Sequence, residues 1–187
     1  MSTDTAKHAK HRLQGRQSKM EGDWFERMIE IAGGYYEHLG IAALDKTPEP
    51  MKVIRPMGNG QFLSRFEKMA QPDFKGALCD GTTILFDAKH TETEVLRRQA
   101  VTSEQEKCFE RYMKMGAHCF IVANIQFKDY YRIPWPTFRD MKRLYGRLYM
   151  DRTDLEPFRV NYSGGYLRFL DGISLRESEE HNGSNEE

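Results

Sequence analysis

Pro72-Asp-Phe-Lys-Gly-Ala-Leu-Cys79, Asp80-Gly81 and Thr82-Thr-Ile-Leu-Phe-Asp-Ala-Lys89 form the stretch on which the fold turns. Two apolar, β-prone runs flank an Asp-Gly pair, the pattern of a β-hairpin. Side chains alternate faces along a strand, so Leu85, Asp87 and Lys89 point one way and Ile84, Phe86 and Ala88 the other. The position of Asp73 depends on the turn. A two-residue Asp80-Gly81 turn pairs Cys79 with Thr82, sets Phe74 opposite Asp87 and turns Asp73 away. A three-residue Cys79-Asp80-Gly81 loop, with Gly81 in the left-handed region, pairs Leu78 with Thr82 and sets Asp73 opposite Asp87. Both turns suit these residues, and a bulge near Pro72 would bring Asp73 round with the shorter one.

Two carboxylates directly opposed across a hairpin have Cβ atoms about 4.5–5.5 Å apart and repel unless a positive charge lies between them. Mg²⁺ fits that need, because it takes carboxylate oxygens and fills its remaining positions with water and substrate phosphate. Lys89 then has a separate role, since its ammonium can orient or deprotonate an attacking water and offset charge developing on a phosphorane.

Upstream, Trp24, Phe25, Met28, Ile29, Ala32, Tyr35 and Tyr36 recur at helical spacing and predict an amphipathic helix over 21–39. Gly33-Gly34 weakens its second half and Gly40 closes it. Glu26 lies about 60° round the helix from Ile29, at the edge of the apolar arc, where its carboxylate can reach a helix–sheet junction. Glu30 sits farther toward solvent. A short strand is expected over 41–44. Residues 47–69 carry three prolines, Gly58-Asn-Gly60 and scattered Lys52, Arg55, Arg65 and Lys68, which reads as a strand, a turn and a short helix in a protrusion. Downstream, Thr102-Ser103 caps a helix to about Met115, 118–125 is a buried strand, 130–133 pairs with it, and Pro136 starts a helix to about Tyr149. Residues 160–170 return a strand or hairpin to the sheet. The class is α/β: one domain over 20–172, a 51–71 insertion, a basic flexible arm over 1–19 and an acidic disordered tail over 173–187.

The 187 residues carry no net charge, but the charge is unevenly placed. Residues 1–19, with Lys7, Lys10, Arg12, Arg16 and Lys19, have a net charge of +4, and residues 171–187 a net of −5. Cancelling tails hide a basic arm that suits nucleic acid. Cys79, Cys108 and Cys119 make an odd set with no paired spacing, which argues against a disulfide framework or a thiolate zinc site. His8, His11, His38, His90, His118 and His181 lack zinc-site spacing and read as surface or strand residues. No apolar run is long enough for a membrane span, so a cytoplasmic protein with no membrane or small-molecule cofactor is expected.

Pro72-Asp73 and Asp87-Ala88-Lys89 match the PD-(D/E)xK nuclease pattern, and roughly residues 15–172 resemble RecU-type Holliday-junction resolvases. The resemblance rests on Gly22-Asp-Trp-Phe-Glu26, Tyr35-Tyr36, Pro48-Glu-Pro50, Phe86-Asp-Ala-Lys-His90, Glu104-Gln105 and Gly116-Ala-His-Cys-Phe-Ile-Val122. It implies a restriction-endonuclease-like mixed sheet flanked by helices, a stalk insertion entering the junction centre, and a homodimer making paired Mg²⁺-dependent incisions in four-way DNA junctions, with Mn²⁺ as a substitute ion. Asp73 and Asp87 would be metal ligands, Gln105 would complete the metal site, Lys89 would support the transition state and Glu26 would be the helix carboxylate. Lys52, Arg55, Arg65 and Lys68 of the stalk, and Arg12, Arg16 and Lys19 of the arm, would contact DNA phosphate. Two positions depart from the family: Asp87 stands where glutamate is more usual, and Gln71 where threonine is. The alternatives from the same residues are a PD-(D/E)xK endonuclease acting on other DNA (restriction, repair or host-DNA degradation) and a non-catalytic junction-binding protein.

Overall fold

The computed structural model describes residues 3–48, 51–66 and 71–175, with the side chains of 3–12, 14 and 66 left aside. Helix α1 runs Thr3–His38. Phe25, Ile29, Ala32 and Tyr36, spaced four, three and four apart, are its buried stripe, whereas Trp24 and Tyr35 at the edges of the predicted arc are exposed. The helix ends as the spacing predicts: Gly40, at φ +67°, donates its N–H to Glu37 O, and Ile41 N–H reaches Tyr36 O at 2.9 Å, a Schellman ending. Its start differs from the expected arm. Residues 3–19 continue the helix, because Ala, Lys, Arg, Gln and Met are strong helix formers and need no burial to extend a helix nucleated farther on.

Strand β1, Ala42–Lys46, follows. Gly33 is where it crosses α1: a Cβ added there would lie 3.4 Å from Leu44 Cβ. Strands β2 (Met51–Gly58) and β3 (Gln61–Phe66) then form a separate two-stranded hairpin joined through Asn59-Gly60, both at positive φ. The insertion is therefore a β-ribbon through Phe66 and not a strand, turn and helix. Strand β4 (Phe74–Leu78) and strand β5 (Thr83–Thr91) make the hairpin of the central sheet.

After β6 (Val95–Arg97) comes α2 (Ser103–Met113), then the buried strand β7 (His118–Ile125) and β8 (Asp129–Pro134). The single helix expected after Pro136 is two short ones, α3 (Trp135–Arg139) and α4 (Met141–Tyr145), with Asp140 between them and Gly146 in the left-handed region closing the second. Strand β9 (Tyr149–Asp151), α5 (Arg152–Leu155) and the short strands β10 (Arg159–Val160), β11 (Tyr162–Ser163) and β12 (Tyr166–Leu167) complete the described chain.

The central sheet has the order β1-β4-β5-β7-β8-β10, antiparallel throughout except for the β5–β7 pair. One face packs on α1 through Phe25, Ile29, Tyr36, Phe86 and Phe120. The other packs beneath α2 and α3 through Phe109, Ile121, Ile133, Trp135 and Phe138. The expected mixed sheet between helices is present, with the β2–β3 ribbon beside it.

Two features set the register of the hairpin. Phe74, Phe86 and Phe120 are register partners across β4, β5 and β7 and stack with centroids 5.1 and 5.0 Å apart. Gly76 lies opposite Leu44 where β1 comes so close that a Cβ would collide with Ala43 O, so only glycine fits.

Candidate active site

The turn between β4 and β5 is the three-residue loop. Leu78 N–H donates to Thr82 O at 2.9 Å, Gly81 sits at φ +79° with its N–H on Leu78 O, and Asp80 Oδ1 accepts from Thr82 N–H at 2.8 Å. With Phe74 paired to Phe86, the next residues outward, Asp73 and Asp87, come together. Asp73 N–H reaches Asp87 Oδ1 at 3.3 Å, and Asp73 Oδ2 accepts from Ala88 N–H at 2.9 Å. Thr47 N–H, just past β1, holds Asp73 O at 2.7 Å.

Asp87 is wholly buried. Its Oδ1 accepts the Gln105 side-chain N–H at 2.7 Å, and its Oδ2 forms an ion pair with the Lys89 ammonium. A buried carboxylate facing a second carboxylate across the hairpin is a donor set that a hard divalent cation fits. Burial, then the charge of Asp87, push the Asp73 carboxyl up to about 7, against the opposing pull of Lys89 and the Ala88 N–H. Burial also works against the Lys89 ammonium, but Asp87 and Asp73 more than offset it and the lysine is held above its usual range. The group is therefore a fixed cation at neutral pH.

Gln105 is the N3 residue of a capping box. Its Oε1 accepts from Thr102 N–H at 3.0 Å while Thr102 Oγ1 accepts from Gln105 N–H at 3.2 Å. The cap fixes the amide so that its NH₂ end, not its oxygen, faces Asp87. The Gln105 oxygen, expected to help complete the metal site, accepts the helix-cap hydrogen bond here, and the amide NH₂ is the end that meets Asp87.

Glu26 projects from α1 toward the same end of the sheet. Burial, helped by the Asp73 charge, raises its carboxyl above the usual range, with Lys46 opposing. Lys46 carried no signal in the sequence: it ends β1 and lies 2.8 Å from Glu26 Oε2 and 3.1 Å from Glu30 Oε1. The pairing of β1 with β4 and the packing of α1 on β1 bring it there. Gln71 is exposed.

Arg16 and Lys19 lie exposed on α1, and Lys52, Arg55 and Arg65 are exposed on the β2–β3 ribbon. Lys52 and Arg65 are direct cross-strand partners. Lys68 and the side chain of Arg12 lie outside the described residues, as does the tail from 176 onward. No helix among the described residues is long and apolar enough to cross a membrane.

Opposed carboxylates on one hairpin, a lysine two residues beyond the second and a helix amide behind it define a PD-(D/E)xK-type site in a mixed α/β fold. The chain belongs to the RecU family: the model for Recombination protein U matches residues 20–170. It is 23% identical, over 190 aligned residues covering 89% of each chain, to the Holliday junction resolvase RecU of Staphylococcus saprophyticus. It is also 22% identical over 121 residues to that of Streptococcus gordonii, covering 62% of this chain and 60% of the relative. Among solved structures it is similar to Archaeoglobus fulgidus Hjc, a Holliday junction resolvase from an archaeal hyperthermophile, at 14% identity and a TM-score of 0.44, covering 73% of this chain and 93% of that one.

Proposed function

We propose that this chain is a structure-selective, Mg²⁺-dependent DNA endonuclease that resolves four-way junctions in the cytoplasm as a homodimer. The observation that carries the reading is the buried Asp87 carboxylate, with one oxygen on Gln105 and the other on Lys89, facing Asp73 in a chain of the RecU family.

Asp73 and Asp87 would hold the ion, with Mn²⁺ as a substitute. When bound, Mg²⁺ supplies Lewis-acid polarisation of the phosphate and a more acidic water. The chain's own residues do the rest. Gln105 keeps Asp87 in one rotamer, so the carboxylate is in place before substrate arrives. Lys89 would orient the water by hydrogen bonding and offset charge gathering on the phosphate oxygens. Glu26, paired with Lys46 at the edge of the site, would accept a proton from that water.

Lys52 and Arg65 are two like charges directly opposed on an exposed ribbon, an unfavourable pair that a phosphate would neutralise. With Arg55, and with Arg16 and Lys19 on α1, they are the proposed DNA contacts. Two-fold symmetry of a homodimer would place the two cuts on opposed strands.

The test is cleavage of a labelled four-way junction and a matched linear duplex. The reading expects Mg²⁺-dependent paired nicks in the junction and an intact duplex. Equal cutting of both would instead indicate a nuclease for other DNA.

A further inference from the structure

Three side chains outside the proposed nuclease centre converge on the α1 side of the sheet. His90 Nε2 lies 3.0 Å from Glu92 Oε1 and 3.5 Å from Glu21 Oε2. Glu21 belongs to α1, His90 to the end of β5, and Glu92 follows that strand. The His90 side chain is only 5% exposed, and its ring is stacked on Phe127 at 4.4 Å.

The tautomer of His90 follows from its other nitrogen. Nδ1 lies 2.7 Å from Oδ1 of the fully buried Asn124. That amide cannot be turned round: Oδ1 also accepts Phe127 N–H at 2.9 Å, and Nδ2 donates to Asp129 O at 3.2 Å. Nδ1 therefore carries the proton, and in a neutral imidazole Nε2 is left as a bare lone pair. It points at two carboxylates. Three electron-rich atoms within 4.8 Å of one another repel unless a positive charge lies among them.

Either a second proton on the imidazole or a metal ion supplies that charge, and the buried Asn124 carbonyl that holds Nδ1 suits a metal-bound imidazole. Ligands bound at about 2.1 Å to one ion lie about 2.9–3.4 Å from their neighbours, close to the 3.0 and 3.5 Å seen here. An imidazole whose N–H is held by a buried carbonyl is the usual support of a metal-bound histidine. One imidazole nitrogen with two carboxylates suits Zn²⁺ or Mn²⁺ better than Mg²⁺.

We propose that Glu21, His90 and Glu92 form a second cation site, for a divalent transition-metal ion, distinct from Asp73 and Asp87. A bound ion ties the middle of α1 to the end of β5. The proposal does not depend on the nuclease reading, since it concerns a different set of ligands.

The experiment is calorimetric titration of the full chain with Zn²⁺ alone, in an Asp73→Asn background that disables the other site, with thermal melting in parallel. One Zn²⁺ should bind and raise the melting temperature. Adding Glu92→Gln should weaken that binding at least tenfold and remove the thermal shift, and adding His90→Gln should do the same. Glu92 is 55% exposed on its side chain, so its substitution reports on the site even if the His90 variant folds poorly. Undiminished binding in Glu92→Gln, or no Zn²⁺ uptake by Asp73→Asn, would overturn the proposal and leave the cluster as an imidazolium ion pair only.

Discussion

Gln105 donates its side-chain amide to Asp87 at 2.7 Å while the oxygen of the same amide caps the helix that carries it. One residue thus couples the start of α2 to the rotamer of the buried carboxylate. Gln105→Ala should loosen the capping box and lower cleavage about 10- to 100-fold through loss of support for a ligand. Thr102→Ala should show the stability loss with a much smaller effect on cleavage. Urea unfolding and single-turnover cleavage of the two variants separate the roles; equal activity losses would mean that Gln105 acts only as a cap.

Removal of the Lys89 ammonium leaves the Asp87 carboxyl group without its ion-pair partner in the interior. Lys89→Met should destabilise the metal-free chain by about 3–5 kcal/mol and cut the cleavage rate about 10²- to 10³-fold. Chemical denaturation with and without Mg²⁺ checks this: saturating Mg²⁺ should recover much of the stability and none of the activity.

Asp73 gives a pH signature. Its carboxyl moves from an ordinary 3.8 to about 7 on folding, so the folded chain holds a proton that the unfolded chain has already released between those values. Its favourable contribution to stability is therefore present below the lower value and lost as pH rises through about 7. A cation at Asp73 must displace that proton. Apparent Mg²⁺ affinity should rise with pH through neutrality, and binding at pH ~6 should release close to one proton. Calorimetry in buffers of different ionisation enthalpy measures the release, which Asp73→Asn should abolish.

How far the sequence discloses this arrangement can be judged residue by residue. Strand alternation places Asp87 with Lys89, and helical spacing places Phe25, Ile29, Ala32 and Tyr36 in the core. The choice between turns was not legible, because Asp80-Gly81 suits both. It is settled by distant partners, the Phe74–Phe86–Phe120 stack and the close approach of Ala43 to Gly76. Lys46 and the meeting of Glu21, His90 and Glu92 are likewise products of strand and helix packing that no local pattern encodes. The charge run over 1–19 reads as an unstructured arm because it lacks a core face, yet its described part, from Thr3, prolongs a helix anchored elsewhere.

Phosphate contact by the ribbon has a salt signature. Lys52→Ala and Arg65→Ala should each lower the slope of log affinity against log salt by about 0.9. Electrophoretic binding assays on an uncut junction in EDTA, over a range of NaCl, would read this. An unchanged slope would remove these residues from the interface.

The most direct test of the central claim, that Asp73 and Asp87 form one cation-dependent centre for phosphodiester cleavage, is a junction-cleavage time course with Mg²⁺ or EDTA, comparing the unchanged chain with Asp87→Asn. Asp87→Asn is chosen because it keeps the size of a fully buried side chain. The unchanged chain should cut only with Mg²⁺, and Asp87→Asn should bind the junction and leave it whole. Cleavage that persists in EDTA, or an Asp87→Asn protein as active as the unchanged one, would contradict the account.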